Sequence, residues 1–120
     1  VAVSRKDEGY EGRCAALANA SLAWLGSDVR VTAGDFTVDR GYFEPGYEQP
    51  NEAANEAIRL LARTEGLLTD PVYTGKALAG LLDHIRTGKI RSGETVVFWH
   101  TGGATALFAE QAILGNLADK

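Results

Sequence analysis

The segment at residues 94–100 is the feature that most constrains how this chain can fold. Residues 96–99 are apolar without interruption and combine β-branched with aromatic side chains. A run of strand length that is apolar on both faces is typical of a parallel strand covered by helices. A second, shorter strand is predicted at residues 28–36, where apolar and polar positions alternate loosely.

Helical spacing of apolar residues frames these two predicted strands. Helices are predicted at residues 12–25, at 51–66, over a third segment that ends near residue 87, and at 104–117. Asn51 is expected to cap the second helix and Gly66 to stop it, and Gly88 is the expected C-cap of the third. The first helix is expected to present one apolar face, made of Cys14, Leu17, Ala18, Leu22 and Leu25.

Strands that alternate with helices predict an α/β domain with a parallel sheet. Two strands are few for four helices. The sheet is therefore expected to pair with strands from a missing segment or to dock on a partner. The chain begins at Val1 and contains no methionine, from which we expect a piece of a longer protein or, alternatively, a processed terminus.

Composition restricts the class of protein. The chain has 120 residues, of which 45% are hydrophobic and 23% charged, which suits one globular domain and excludes a disordered tail or a disulfide scaffold. The single cysteine, Cys14, cannot form an internal disulfide and favours a reduced, cytoplasmic setting. The net charge of −4 lacks the basic footprint of a nucleic-acid binder. No apolar run approaches the ~20 residues that span a bilayer, so neither nucleic acid nor membrane is an expected partner.

Three segments could carry chemistry. Ligands of parallel sheets bind at the carboxyl ends of the strands, where His100 is followed by Thr101, Gly102 and Gly103; the alternative is a purely structural glycine turn. Residues 70–76 place the hydroxyls of Tyr73 and Thr74 at a helix start, although Thr74 could be only an N-cap and Tyr73 a core ring. The loop at 39–50 contains the aromatic residues Tyr42, Phe43 and Tyr47, which either anchor the loop in the core or line a pocket.

Other kinds of site are not indicated. His84, His100 and Cys14 lack metal-binding spacing, so no metal site is predicted. Neither a nucleophile elbow nor a phosphate-binding Gly-Lys-Ser/Thr loop is present, because Ala77 follows Gly75-Lys76.

Taken together, three motifs resemble those of the D-cysteine desulfhydrases and the 1-aminocyclopropane-1-carboxylate deaminases. The motifs are Gly46-Tyr47-x-x-Pro50-Asn51-Glu52, residues 65–77, and His100-Thr101-Gly102-Gly103. These are pyridoxal-phosphate enzymes of the tryptophan-synthase-β type, known as fold type II. The resemblance implies that residues 1–120 form a single partial domain, the C-terminal third of a longer enzyme and part of its large domain, with parallel strands covered by helices. It also implies pyridoxal 5'-phosphate as cofactor and a homodimer.

The resemblance assigns roles to five residues. Tyr47 and Tyr73 match tyrosines that face the substrate and are expected to be catalytic. Thr101 matches the residue whose hydroxyl faces the pyridine nitrogen of the cofactor, and Gly102 lets the backbone pass close to its ring. Thr74 matches the position where the ring-opening deaminases typically carry a glutamate for that same nitrogen, so Thr74 is also expected to bind the cofactor. Because those deaminases usually have a leucine at the position of Thr101, the two threonines favour the desulfhydrase branch.

The resemblance therefore implies a lyase that performs β-elimination on D-cysteine or a similar small amino acid, giving pyruvate, ammonium and sulfide. Ring-opening deamination is the alternative. One departure, Glu48 where the family usually has glycine, leaves an L-cysteate sulfo-lyase open as well. A binding or assembly module that retains only one wall of the site is the alternative from another class. The Schiff-base lysine is expected upstream of Val1, so the isolated chain is predicted to be inactive.

Overall fold

The computed structural model describes residues 1–2 and 8–110 of the chain. Within these residues three α-helices are formed, α1 at Tyr10–Trp24, α2 at Glu52–Glu65 and α3 at Thr74–Arg86. Two 3₁₀ helices lie at Ala33–Asp35 and Ala104–Ala109. None of these helices is long and apolar enough to cross a membrane.

The ends of α2 confirm the predicted caps. The side chain of Asn51 accepts a hydrogen bond from the amide of Ala54 at 2.7 Å, which satisfies one of the free donors at the helix start. Gly66 closes the helix in the left-handed conformation, with φ of 68°, and its amide donates to Ala62. The third helix ends one position before its predicted stop: Thr87 is the C-cap, and Gly88 follows it with φ of 74°.

The core lies between α2 and α3. Ala57 of α2 is buried against Leu78 and Ala79 of α3, and four partly buried residues pack around them: Leu61, Leu81, Leu82 and Phe98. A second contact pairs Ile58 of α2 with Leu107, and so attaches the 3₁₀ helix at Ala104–Ala109 to α2. This small core fixes the start of α3, where the candidate site lies.

Helix α1 forms as predicted, but its expected apolar face is only partly covered: Cys14, Ala18 and Leu22 are half-buried. Leu17 and Leu25 remain 71% and 69% exposed, and Ala15 is the helix's buried residue. The helix packs on the 3₁₀ helix at Ala33–Asp35. An apolar stripe is buried only when a second element covers it, and the described residues contain no element that covers Leu17 and Leu25.

The two predicted strands are not formed within the described residues, so the parallel sheet expected for this part of the chain is not confirmed. In the first segment, both backbone groups of Val31 bond to the side chain of Asn19, at 3.0 and 2.8 Å. The side chain of Asp35 then accepts from the amide of Thr32 and closes a 3₁₀ turn. These backbone groups are thus paired locally instead of with a neighbouring strand.

The second segment, at residues 94–100, has no regular secondary structure. Phe98 packs on the α2–α3 core, whereas Val97 and Trp99 are 79% and 81% exposed. A strand requires a partner for its amides and carbonyls, and the part of the chain that the structure describes supplies none. The predicted helix at 104–117 is a 3₁₀ helix over Ala104–Ala109, and residues 111–117 lie outside the described part.

Candidate active site

Asp70 organises the start of α3. Its side chain is buried, and each carboxylate oxygen accepts hydrogen bonds: Oδ2 accepts from the amides of Val72 and Tyr73 at 2.8 and 2.7 Å, and Oδ1 accepts from the amide of Thr74 at 2.8 Å. These are amides that have no acceptor within the helix itself. A carboxylate at this end also interacts favourably with the helix dipole.

Two opposing effects act on the pKa of Asp70. Burial raises it, because the charged form loses its hydration. The hydrogen bonds from Thr74, Tyr73 and Val72 stabilise the carboxylate and outweigh burial, so the pKa is held below its ordinary value of 3.8. Asp70 is therefore a permanently charged anchor at neutral pH.

Thr74 lies inside this hydrogen-bond system. It is 3% exposed, and its hydroxyl donates to Oδ1 of Asp70 while accepting from the Asp70 amide at 2.9 Å. Thr74 is the first residue of α3, not its N-cap, which is Tyr73. Its hydroxyl is thus already used within the protein.

Tyr47 and Tyr73 meet at the surface. Their hydroxyls are hydrogen-bonded to each other, and the ring centroids lie 5.9 Å apart at an interplanar angle of 57°. Tyr47 is 43% exposed and Tyr73 is 44% exposed, so neither is a core ring. The hydrogen bond with Tyr73 raises the pKa of Tyr47, with smaller contributions from burial and from the nearby charge of Glu48.

The other aromatic residues of the loop at 39–50 are anchors. The hydroxyl of Tyr42 donates to Asp83 of α3 at 2.5 Å, and its ring packs edge-on against His84. Phe43 is half-buried. Tyr42 is therefore an anchor of the loop, whereas Tyr47 lies at the open surface.

Lys76 holds the loop that carries Tyr47. This lysine is completely buried, and its Nζ atom donates to the carbonyl oxygens of Phe43 and Gly46, at 3.2 and 2.8 Å. Burial lowers the pKa of Lys76, partly opposed by the charge of Glu44. Tyr47 directly follows one of the two carbonyls that Lys76 binds.

The turn at residues 100–103 lies beside the same helix start. The amide of Gly102 donates to Nδ1 of His100 at 3.1 Å, so Nε2 carries the proton and donates to the carbonyl of Leu68 at 2.8 Å. Gly103 has a φ of 88°, and a Cβ atom there would lie 2.9 Å from Cγ of Asp70. The turn therefore packs directly on the carboxyl group that caps α3.

The structure thus brings the predicted residues into one neighbourhood by two contacts. Tyr47 reaches Tyr73 directly, and the turn containing Thr101 and Gly102 reaches Thr74 through Asp70. Thr101 is exposed, and its hydroxyl has no hydrogen-bond partner among the described residues. In the same part of the chain, no cluster of three His, Cys, Asp or Glu side chains could hold a metal ion.

The sequence predicted no role in the site for Asp70 or for Lys76. The available signal for Asp70 was its residue type, since aspartate commonly accepts hydrogen bonds from the backbone amides two and three residues further along the chain. No sequence signal shows which carbonyl groups a buried lysine contacts.

Comparison with known proteins identifies the family. The chain is 54% identical over 87 residues to a D-cysteine desulfhydrase of Yersinia enterocolitica, covering 71% of this chain and 26% of that protein. It is 46% identical over 97 residues to a 1-aminocyclopropane-1-carboxylate deaminase of Burkholderia multivorans, covering 81% of this chain and 28% of that protein. The chain therefore spans about a quarter of the length of these curated relatives. Residues 13–102 match the family model described as "Pyridoxal-phosphate dependent enzyme", and the chain belongs to that family.

Proposed function

We propose that this chain forms one wall of the active site of a pyridoxal-phosphate-dependent lyase that performs β-elimination on D-cysteine or a similar small β-substituted amino acid. The products would be pyruvate, ammonium and sulfide. The observation that carries the proposal is the paired hydroxyls of Tyr47 and Tyr73 beside a helix start that also contacts the turn of Thr101 and Gly102. The complete enzyme would be longer than this chain, since the matched segment covers only 26% and 28% of the two relatives.

The polar groups on this wall suit the cofactor. Pyridoxal phosphate supplies the electron sink for bond cleavage next to the substrate's amino group. Thr101 presents an exposed hydroxyl that can donate to a ring nitrogen, whereas the hydroxyl of Thr74 is already bonded to Asp70. A neutral hydroxyl cannot hold a proton on that nitrogen as a carboxylate would. We therefore assign the hydrogen bond to the ring nitrogen to Thr101. Thr74 forms part of the same wall, and Gly102 lets the backbone approach the cofactor ring closely.

The tyrosine pair is assigned to the substrate. In a phenol pair one hydroxyl donates to the other, which leaves the second hydroxyl's proton available to a ligand. The raised pKa of Tyr47 keeps it protonated at neutral pH. The pair is thus suited to orient the substrate and to donate a proton, and less suited to remove one.

Ring-opening deamination is the second candidate, because one of the relatives is named as a 1-aminocyclopropane-1-carboxylate deaminase. The threonines at positions 74 and 101 favour elimination, by the resemblance described above. Glu48, which replaces a glycine beside Tyr47, keeps L-cysteate among the substrates to be tested. A non-catalytic module with one wall of the site is the outcome expected if no substrate reacts.

The test is a comparison of amino-acid substrates with the full-length protein that contains this segment, loaded with pyridoxal phosphate. Sulfide and pyruvate from D-cysteine, with little ammonium from 1-aminocyclopropane-1-carboxylate, is the expected result. Tyr73→Phe should lower kcat by about a hundredfold, whereas Tyr10→Phe on α1 should leave it unchanged. Turnover of the cyclopropane substrate alone would favour the deaminase. Pyruvate release by the isolated 120-residue chain would contradict the proposed need for the rest of the enzyme.

A further inference from the structure

Asp70 touches both segments that the proposed function places around the cofactor. On one side its carboxylate accepts from the amides of Val72, Tyr73 and Thr74 and from the Thr74 hydroxyl. Its own backbone closes the same turn, because its amide donates to the Thr74 hydroxyl and its carbonyl accepts from Gly75 at 2.8 Å. With 1% exposure, this carboxylate has no other solvation.

On the other side, the same carboxyl group supports the turn at residues 100–103. The space where a Cβ of residue 103 would stand is filled by Asp70, whose Cγ, Cβ and Oδ1 atoms lie at 2.9, 3.0 and 3.0 Å from that point. The turn is also tied to the segment before Asp70 by the hydrogen bond from His100 to the carbonyl of Leu68. Asp70 therefore sets the distance between the start of α3 and the turn at residues 100–103.

We propose that Asp70 is a positioning residue, which holds Tyr73 and Thr74 at the start of α3 and at the same time supports the turn of Thr101 and Gly102. The inference rests on the proposed function, since it assigns Asp70 to the arrangement of that site. Asp70 would not touch substrate or cofactor. Its effect on the reaction would pass through the residues that it holds.

The variant Asp70→Asn separates this role from simple packing. Asparagine has nearly the same shape, but one of its two oxygens is replaced by a donor NH₂ group. One orientation places that group against the amides of Val72 and Tyr73, and the other places it against Thr74, so a donor faces a donor in either case. The start of α3 should shift, while the buried volume is unchanged.

A matched control is Asp83→Asn. Asp83 also lies on α3 and accepts a partly buried hydrogen bond from the hydroxyl of Tyr42. It contacts none of the residues assigned to the site. Both variants should lower the temperature of unfolding. A difference between them in cofactor binding or kcat is therefore not explained by lost stability alone.

The experiment uses the full-length protein and three measurements: thermal unfolding, the Kd of pyridoxal phosphate from its fluorescence, and kcat and KM. Asp70→Asn should raise that Kd by about tenfold, the change that corresponds to one hydrogen bond. It should lower kcat by roughly tenfold or more, because displaced groups lose their alignment. Asp83→Asn should leave both within about twofold of the wild type. Equal effects of the two variants on Kd and kcat would overturn the proposal.

A second variant covers the case in which Asp70→Asn does not fold. Gly103→Ala leaves the hydrogen bonds of Asp70 in place but pushes the turn away from it. Its control is Gly93→Ala, which has a similar φ of 90° and open space around the new methyl group. A raised Kd for Gly103→Ala alone supports the proposal, and an equal Kd for both variants contradicts it.

These outcomes also separate this inference from the proposed function. The cofactor titration compares Asp70→Asn with the wild type even if D-cysteine is not a substrate. A wild-type protein that binds the cofactor but converts none of the amino acids tested would count against the proposed reaction only. A wild-type protein that does not bind pyridoxal phosphate would overturn both.

Discussion

The Nζ atom of Lys76 lies 2.8 Å from the carbonyl oxygen of Gly46, so a buried cation on α3 holds the loop residue that precedes Tyr47. The same lysine also donates to the carbonyl of Phe43. Tyr73 is the N-cap of the helix on which Lys76 lies. The two tyrosines that meet at the surface are therefore both fixed from the first turn of one helix.

Replacing Lys76 by methionine should release this loop. The variant keeps an apolar chain of similar length but leaves two carbonyl groups without their charged donor. We expect the free energy of unfolding to fall by about 1–3 kcal/mol. The variant no longer has to bury a charge, but this gain offsets only part of the loss. Urea denaturation of the full-length protein measures the change.

The control for this variant is Lys89→Met, at an exposed position beyond the end of α3. It should change the unfolding free energy by less than about 0.5 kcal/mol. If the two substitutions had equal effects, the hydrogen bonds of Lys76 would not be stabilising the loop. If Lys76→Met were as stable as the wild type, the cost of burying the cation would match the whole gain from its bonds.

A second prediction concerns the effect on stability of replacing Gly75, in the first turn of α3, by alanine. A methyl group there would lie 2.6 Å from the carbonyl oxygen of Asp70 and 2.9 Å from Cδ1 of Ile58. Alanine usually stabilises a helix by up to about 1 kcal/mol relative to glycine. At this site we expect the opposite sign, a loss of about 1–3 kcal/mol, because the backbone of Asp70 must move.

The matched substitution is Gly12→Ala in the first turn of α1, where the new methyl group meets nothing within 4 Å. That variant should be slightly stabilised. Thermal unfolding of both variants tests the pair, and a gain in stability for Gly75→Ala would show that the start of α3 is not packed against Asp70 and Ile58 as described.

Tyr42 gives a prediction for alkaline pH. Its hydrogen bond to Asp83, together with burial and the charges of Asp83 and Asp39, raises the pKa of Tyr42 to about 12 from an ordinary value of 10.0. Because the folded-state pKa is the higher one, the stabilisation is complete below pH 10 and is lost as the pH rises from 10 to about 12. The difference in unfolding free energy between the wild type and Tyr42→Phe should therefore shrink over that interval.

Urea midpoints at three pH values across this interval measure the effect, and absorbance of the ionised phenols provides an independent readout. The wild type has four tyrosines, and Tyr42→Phe should remove the one that ionises near pH 12. Tyr10→Phe is the control for losing a more exposed phenol. A difference that stays constant up to pH 12 would exclude the hydrogen bond to Asp83 as its source.

The helices could be predicted from the sequence because their signals are local. Asn51 and Gly66 act within one turn of α2, so residue type alone placed both ends. The strands could not be predicted in this way, because a strand depends on a partner that is often distant in sequence. Val31 illustrates this difference: its backbone groups are bound by Asn19 of α1, a contact that no periodicity reveals.

In the candidate site, too, local features could be predicted from the sequence and tertiary contacts could not. Tyr73 and Thr74 were identified from their position at a helix start, and the structure brings Tyr47 to Tyr73. The contact of Gly103 with Asp70 joins segments that are 33 positions apart, so it depends on the packing of the 3₁₀ helix at Ala104–Ala109 against α2. Such tertiary contacts determine which polar groups remain available, as the difference between Thr74 and Thr101 shows.

Glu48 has a backbone conformation that is usually reserved for glycine. It is the one residue other than glycine with a positive φ among the described residues, at 59°. That conformation costs an ordinary residue about 1–2 kcal/mol, and glycine adopts it freely. Glycine, the residue that the resemblance to the family implies at this position, is therefore the one that the backbone favours.

Glu48→Gly should accordingly raise the free energy of unfolding, by up to about 1 kcal/mol after the greater freedom of the unfolded glycine chain is subtracted. Glu48→Gln, which keeps the β-carbon, should bring no such gain. Gln49→Gly, at the next position, should destabilise the protein, because there the glycine adds only unfolded-state entropy. Urea denaturation of the three variants decides the matter: a gain for Glu48→Gln equal to that for Glu48→Gly would mean that the charge beside Tyr47, and not the backbone conformation, is the source of the cost.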